Sequence, residues 1–151
     1  MSHNPPPWMI MHKQTDMDTK RVIVVDHDTE TAQLMAELLR SEGFAPLCYP
    51  TWLLSIASIE QAQANLLILE LGIGDPGAAL DLLCELRRNY HTRALPVIVD
   101  STDDRLLDRL AEPLRELGCV RLAKPFKLDD FFLSISVCLD AGRSQTQPLA
   151  C

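Results

Sequence analysis

The chain has 151 residues, 47% of them hydrophobic and 23% charged, with a formal net charge of -7. That length accommodates one domain with a sizeable core but not two. The acid excess excludes a phosphate-backbone binder, which needs clustered Lys and Arg, and no run approaches the ~18 apolar residues of a membrane span.

Residues 1–19 carry three consecutive prolines and mostly polar side chains without the apolar core of a signal peptide. They read as a flexible tail, with a docking peptide in "WMIM" as the alternative. A first strand, Val22–Asp26, leads into a helix capped by Asp28 and Thr29, with Leu34, Leu38 and Leu39 inward and a stop at Gly43. A second strand, Ala45–Cys48, is followed after Pro50 and Thr51 by a weaker helix with Leu54 and Ala57 inward. The third strand is Leu66–Glu70, and its helix presents Ala79, Leu83, Leu86 and Tyr90 as one stripe.

After a fourth strand, Val97–Asp100, comes a helix from about Asp103 to Leu117 with Leu106, Leu110, Leu114 and Leu117 in register. Pro113 has no N–H and its ring meets the carbonyl four residues back, so a continuous helix kinks or breaks near Ala111 and Glu112. The fifth strand is Cys119–Ala123. The last helix runs from Leu128 to about Leu139 with Phe131, Ile135 and Leu139 inward, and residues 142–151 read as a second flexible tail. These residues show no internal repeat, and no output module is expected within them. The five cysteines form no C-x-x-C pair and no zinc-finger spacing, and an odd number without a secretory signal points to a reducing cytoplasm.

Five apolar runs alternating with five helical segments predict a doubly wound α/β sheet, parallel and covered on both faces. Ligands in such sheets gather at the carboxyl ends of the strands. The residues there are Asp26, His27 and Asp28, then Glu70, then Asp100 and Ser101, and finally Lys124. Gly72, Gly74 and Gly77 match a G-x-G-x-x-G dinucleotide fingerprint, and Asp100 lies 23 residues beyond Gly77. That fingerprint belongs after the first strand, whereas two strands precede it here and Pro76 sits where the loop packs into its helix. A nucleotide-binding Rossmann-like domain is therefore the remote alternative.

"VIVVDHD" before an amphipathic helix ending in "SEGF", "LLILELGIGDPG" in third-strand position, "PVIVDST" in the fourth and "AKPF" after the fifth together resemble the receiver domain of bacterial response regulators. The resemblance spans residues 20–141, with intervals of 44 residues from Asp26 to Glu70, 31 to Ser101 and 23 to Lys124. It implies a flavodoxin-like fold of five strands in the order 2-1-3-4-5. It also implies that paired acids after the first strand hold magnesium, that an Asp ending the third accepts a phosphoryl group, and that a hydroxyl and a lysine bind the phosphoryl oxygens. Metal and lysine then neutralise charge on the transferred group, and the hydroxyl swings inward and repacks the face of the fourth helix, fifth strand and fifth helix.

Residue by residue, Asp26 matches the first acid, Ser101 the hydroxyl and Lys124 the lysine. His27 stands in place of the second acid, Glu70 in place of the accepting Asp, and Arg121 at the usual aromatic switch position. Exchanging a carboxylate for an imidazole weakens a magnesium site. Asp28 reads as a helix cap, with a ligand role as the alternative. Glu70 reaches roughly 1.5 Å further than Asp, which misplaces an acceptor yet brings a permanent negative charge toward Lys124 and Ser101. That charge mimics part of a phosphoryl group's pattern.

Three readings of this pocket remain open. Glu70 and Lys124 form a structural ion pair; or His27, protonated beside the acids, replaces the metal in a metal-free pocket; or His27, Asp26 and Glu70 bind a softer ion such as zinc or manganese. With any metal, Asp26, Glu70 and the Gly72 carbonyl are the expected ligands. Strand alternation turns Asp100 away from a pocket that Ser101 faces.

The expectation is a stand-alone, degenerate, cytoplasmic receiver that is not an enzyme. It acts through a histidine kinase or downstream regulator, or through a homodimer, on the face of the fourth helix, fifth strand and fifth helix. The alternative is a receiver that still catalyses its own phosphorylation and dephosphorylation through an unusual site.

Overall fold

The structure, a computed structural model, describes residues 19–50, 54–72 and 75–144, with side chains as far as residue 140. Thr51, Gly74, the "WMIM" cluster and nearly all of the two expected tails lie outside the described residues. Five parallel strands, β1 (Arg21–Val25), β2 (Ala45–Tyr49), β3 (Leu66–Glu70), β4 (Val97–Ser101) and β5 (Cys119–Ala123), are ordered β2-β1-β3-β4-β5. Six helices connect and follow them: α1 (Thr29–Ser41), α2 (Ile56–Ala62), α3 (Pro76–Arg88), α4 (Asp104–Arg109), α5 (Ala111–Glu116) and α6 (Leu128–Ser144).

Alternation sorts the strands' side chains into two cores. The odd-numbered Ile23, Val25, Leu67, Leu69, Val97 and Val99 pack against residues of α2, α3, α4 and α5. The even-numbered Val22, Val24, Leu66, Ile68, Ile98 and Leu122 pack against Ala32, Met35 and Leu39 of α1 and Phe131, Ile135 and Cys138 of α6. Both faces of the sheet are thereby removed from water, which is why the central strands are apolar on both faces through their middles.

Side-chain caps start the helices: Asp28 accepts from the Glu30 N–H, Asp75 from Gly77 and Asp103 from Leu106. At α2 the cap is Ser55, which exchanges hydrogen bonds with Ser58 in a reciprocal box.

Three inward assignments are corrected. In α1 the buried stripe is Ala32, Met35, Ala36 and Leu39, leaving Leu34 54% exposed. In α2, Ile59 and Ala62 face the core and Ala57 faces solvent, because the helix begins later than Thr51 would place it. In the third helical segment, α3 ends at Arg88; Tyr90 lies beyond it, 75% exposed, under the Arg93 guanidinium.

Of the kink or break expected at Pro113, the structure shows a break. Leu110, at φ -94° and ψ 6°, separates α4 from α5. A continuous helix would need an N–H from Pro113 to the Arg109 carbonyl, and the ring occupies that space instead. The other end of the sheet is held by Arg87. Buried at 6% exposure, it donates Nε to the Leu117 carbonyl at 2.7 Å and Nη1 to the carbonyls of Leu95 at 2.6 Å and Arg93 at 3.3 Å. Among the described residues no helix is long and apolar enough to cross a membrane.

Candidate functional site

Register places three acids side by side at the carboxyl edge of the sheet. Val25 pairs with Leu69, which brings Asp26 and Glu70 together one residue on, and Glu70 pairs with Asp100. Asp100 in turn pairs with Leu122, two residues before Lys124. All three acids belong to the even-numbered rows and share one face. The Lys124 backbone N–H is fixed to the Ser101 carbonyl at 2.8 Å.

Lys124 draws the row together. Its Nζ donates to Asp26 Oδ2 at 2.8 Å and to Glu70 Oε2 at 2.8 Å, and lies 3.6 Å from Asp100 Oδ1. The side chains are nearly closed to water, at 9% exposure for Lys124, 1% for Asp26 and Asp100 and 5% for Glu70. His27 is half exposed and covers the remaining side, its Nδ1 2.5 Å from Glu70 Oε1 and 3.7 Å from Asp26 Oδ1. The Asp28 N–H donates to Asp26 Oδ1 at 2.8 Å. Every carboxylate oxygen of Asp26 and Glu70 thus has a partner.

The electrostatics follow from this packing. Burial pushes the Asp26 carboxyl up, but hydrogen bonds involving Glu70, Lys124 and the Asp28 N–H outweigh it and hold the group below the usual range. Burial likewise disfavours the Lys124 charge, yet Asp26 and Glu70 more than compensate and raise the ammonium well above its ordinary value. Asp100 goes the other way. Burial, opposed by Lys124 and reinforced by Asp26 and Glu70, pushes it up to about 7, and neither of its oxygens has a hydrogen-bond partner among the described residues.

Asp100 therefore faces the lysine, contrary to the expectation that it turns away. Ser101 is on the opposite face: fully buried, its Oγ accepts from the Asp103 N–H at 3.0 Å and lies against Gly72, where an added Cβ would come within 3.2 Å of it. No hydrogen bond among the described residues joins the Ser101 hydroxyl to Glu70 or to the Lys124 ammonium. The hydroxyl residue after β4 that lines the pocket is Thr102, with the same parity as Asp100. Even and odd positions at the end of β4 were the signal that could have found both. The pocket has a volume of about 350 Å³, its mouth formed by His27, Thr31, Leu34, Thr102, Pro125 and Phe126.

Asp28 is occupied as a cap, accepting from the Glu30 N–H at 3.2 Å and the Thr31 hydroxyl at 2.8 Å. Arg121 points to the other side of the sheet, where Nη1 donates to the Leu107 carbonyl at 3.2 Å and sits 3.7 Å from Asp108 Oδ1. The glycine fingerprint has a steric reading. Gly72 adopts φ +108° beside Ser101, and Gly77 lies against its cap, Asp75.

No family model matches the chain. It is 28% identical over 126 residues to the transcriptional regulatory protein BasR of Escherichia coli; the match covers 83% of this chain and 54% of that protein, so the chain spans about half its relative's length. Among solved structures it is similar to a CheY-like response regulator receiver domain protein from Methanospirillum hungatei, with a TM-score of 0.71 and 21% identity over 85% of this chain and 99% of that one. The fold is the receiver fold of response regulators. A sensor protein from Polaromonas shows the same receiver architecture, with a TM-score of 0.69 and 22% identity over 82% of this chain and 98% of that one.

The receiver fold implies a magnesium ion at the acid pair, and the residues present do not fit one. Asp26, His27 and Glu70 can bring one ligand atom each to within 4.8 Å of one another. One imidazole and two carboxylates make a poor set for a hard cation that demands oxygen donors in octahedral array.

Proposed function

We propose that this receiver domain serves two-component signal transduction by binding protein partners, with magnesium-dependent phosphorylation impaired or absent. One observation carries the reading. Glu70, at the position the resemblance assigns to the phosphoryl acceptor, has Oε1 engaged by His27 and Oε2 by Lys124. An acyl acceptor needs a free oxygen directed at the donor, and here both are held in a pocket whose side chains supply their own positive charge.

Phosphoryl transfer works mainly by positioning and charge neutralisation. Here Lys124 is committed to two carboxylates and Ser101 is turned to the opposite face, so neither is placed to receive phosphoryl oxygens. Glu70 instead keeps a permanent negative charge against Lys124. The partner surface fits α4, α5, β5 and α6, where Leu128, Leu133 and Val137 of α6 are exposed and Arg121 borders α4. A histidine kinase or downstream regulator is the expected class of partner.

The test is intact-mass spectrometry after incubation with acetyl phosphate, with and without magnesium, beside a phosphorylatable receiver as positive control. No mass gain is expected. A stable gain of one phosphoryl mass that depends on magnesium overturns the reading and makes the domain a working phosphoswitch.

A further inference from the structure

The pocket holds one permanent cation, Lys124, against three buried carboxyl groups, Asp26, Glu70 and Asp100. The lysine takes Asp26 Oδ2 and Glu70 Oε2, while the other two oxygens, Oδ1 and Oε1, face His27 Nδ1. His27 is half exposed, so this side has a route from solvent.

We propose that Asp26 Oδ1, His27 Nδ1 and Glu70 Oε1 form a transition-metal site of Zn2+ type, and that Asp100 is the carboxylate toward which Lys124 withdraws when the ion enters. Nitrogen–oxygen donor sets suit zinc and its neighbours, with bonds of about 2.0–2.2 Å. His27 Nδ1 and Glu70 Oε1 must separate by roughly 1 Å to span a tetrahedral ion at such bond lengths, and the half-exposed imidazole is free to make that move.

Asp100 supplies the independent observation. Both its oxygens are buried without a hydrogen-bond partner among the described residues, and Oδ1 lies 3.6 Å from the ammonium that a new cation would repel. Such an orphaned acceptor demands a structural reason, and a second seat for Lys124 gives it one. This inference rests on the reading of the pocket as one that magnesium does not organise, and phosphoryl uptake and ion titration fail separately.

The experiment is calorimetric titration of the full chain with Zn2+ and with Mg2+, together with the visible spectrum of the Co2+ form. One Zn2+ site is expected, at least about 100-fold tighter than Mg2+, and a Co2+ spectrum without the thiolate band that a cysteine ligand would add. H27A is expected to weaken Zn2+ at least tenfold, and D100N several-fold with an unchanged circular dichroism spectrum; C48A and H91A are expected to bind as the parent does. Equal affinity for Zn2+ in H27A and parent, a thiolate band, or parity between Zn2+ and Mg2+ overturns the site. Unchanged affinity in D100N overturns the role given to Asp100.

Discussion

Glu70 and Asp100 stand opposite one another on β3 and β4, on the same face, and share one ammonium group unequally: Lys124 is 2.8 Å from the first and 3.6 Å from the second. The nearer carboxylate is an ion-pair partner and the farther one is a buried acid with nothing to accept from. Much of the domain's behaviour in solution follows from that inequality.

Removing the lysine leaves Asp26 and Glu70 facing each other at 1% and 5% exposure. K124M is expected to destabilise the fold by about 3–5 kcal/mol at neutral pH, the usual cost of orphaning a buried charge. Urea denaturation at neutral pH checks this, and a loss under about 1 kcal/mol would show that the ion pairs are energetically idle.

Stability should fall as pH rises from about 4 to about 7. The Asp100 carboxyl titrates near 4 in an unfolded chain, but burial holds it at about 7 in the folded one. Between those values the folded chain keeps a proton that the unfolded chain releases, so raising the pH favours unfolding, and the curve flattens above 7. Asp26 acts oppositely, because its depressed value stabilises the fold above about pH 4 and the contribution is lost as the solution becomes more acid. D100N should abolish the decline and stabilise the domain at pH 8 by on the order of 2 kcal/mol. A parent profile flat from about pH 5 to 8 contradicts the assignment.

Two glycines separate backbone strain from crowding. Gly43 (φ +87°) has nothing within 4 Å of an added Cβ, whereas Gly72 (φ +108°) has Ser101 Oγ at 3.2 Å. G43A should cost about 1 kcal/mol for the left-handed backbone alone, and G72A clearly more, about 2–3 kcal/mol. Equal losses in thermal unfolding would mean that Ser101 yields freely.

On α6, Leu133 and Val137 are 62% and 48% exposed and four residues apart, so they form one apolar strip. L133D with V137D should leave stability within about 0.5 kcal/mol per substitution while abolishing partner capture or self-association. Retention of both by the double variant moves the interface elsewhere.

The layered architecture was legible because five apolar runs and five helical stripes left few alternatives, and Asp28, Gly43 and Pro113 punctuate helices for local steric reasons. Asp26, Glu70 and Lys124 were legible from strand-end position alone. Asp100 was misread because alternation was applied within β4 with Ser101 assumed to face the pocket. Comparing parity across β1, β3 and β4 puts Asp26, Glu70 and Asp100 in one row and Ser101 outside it. Leu34 and Tyr90 were misplaced because periodicity fixes a stripe only to within one position, and the packing of α1 on the sheet and the stop at Asn89 decide which position turns in.

The break at Leu110 divides the fourth helical segment into two pieces that are moored differently. Arg121 ties α4 to β5 through the Leu107 carbonyl, while Arg87 pins the chain just past α5 through the Leu117 carbonyl, at a joint buried from water. Leu106 of α4 lies 3.9 Å from where a Gly72 side chain would begin. The two halves of the segment thus answer to different neighbours: α4 is within reach of Gly72 and Arg121, whereas α5 is anchored from the far end of the sheet by a buried guanidinium.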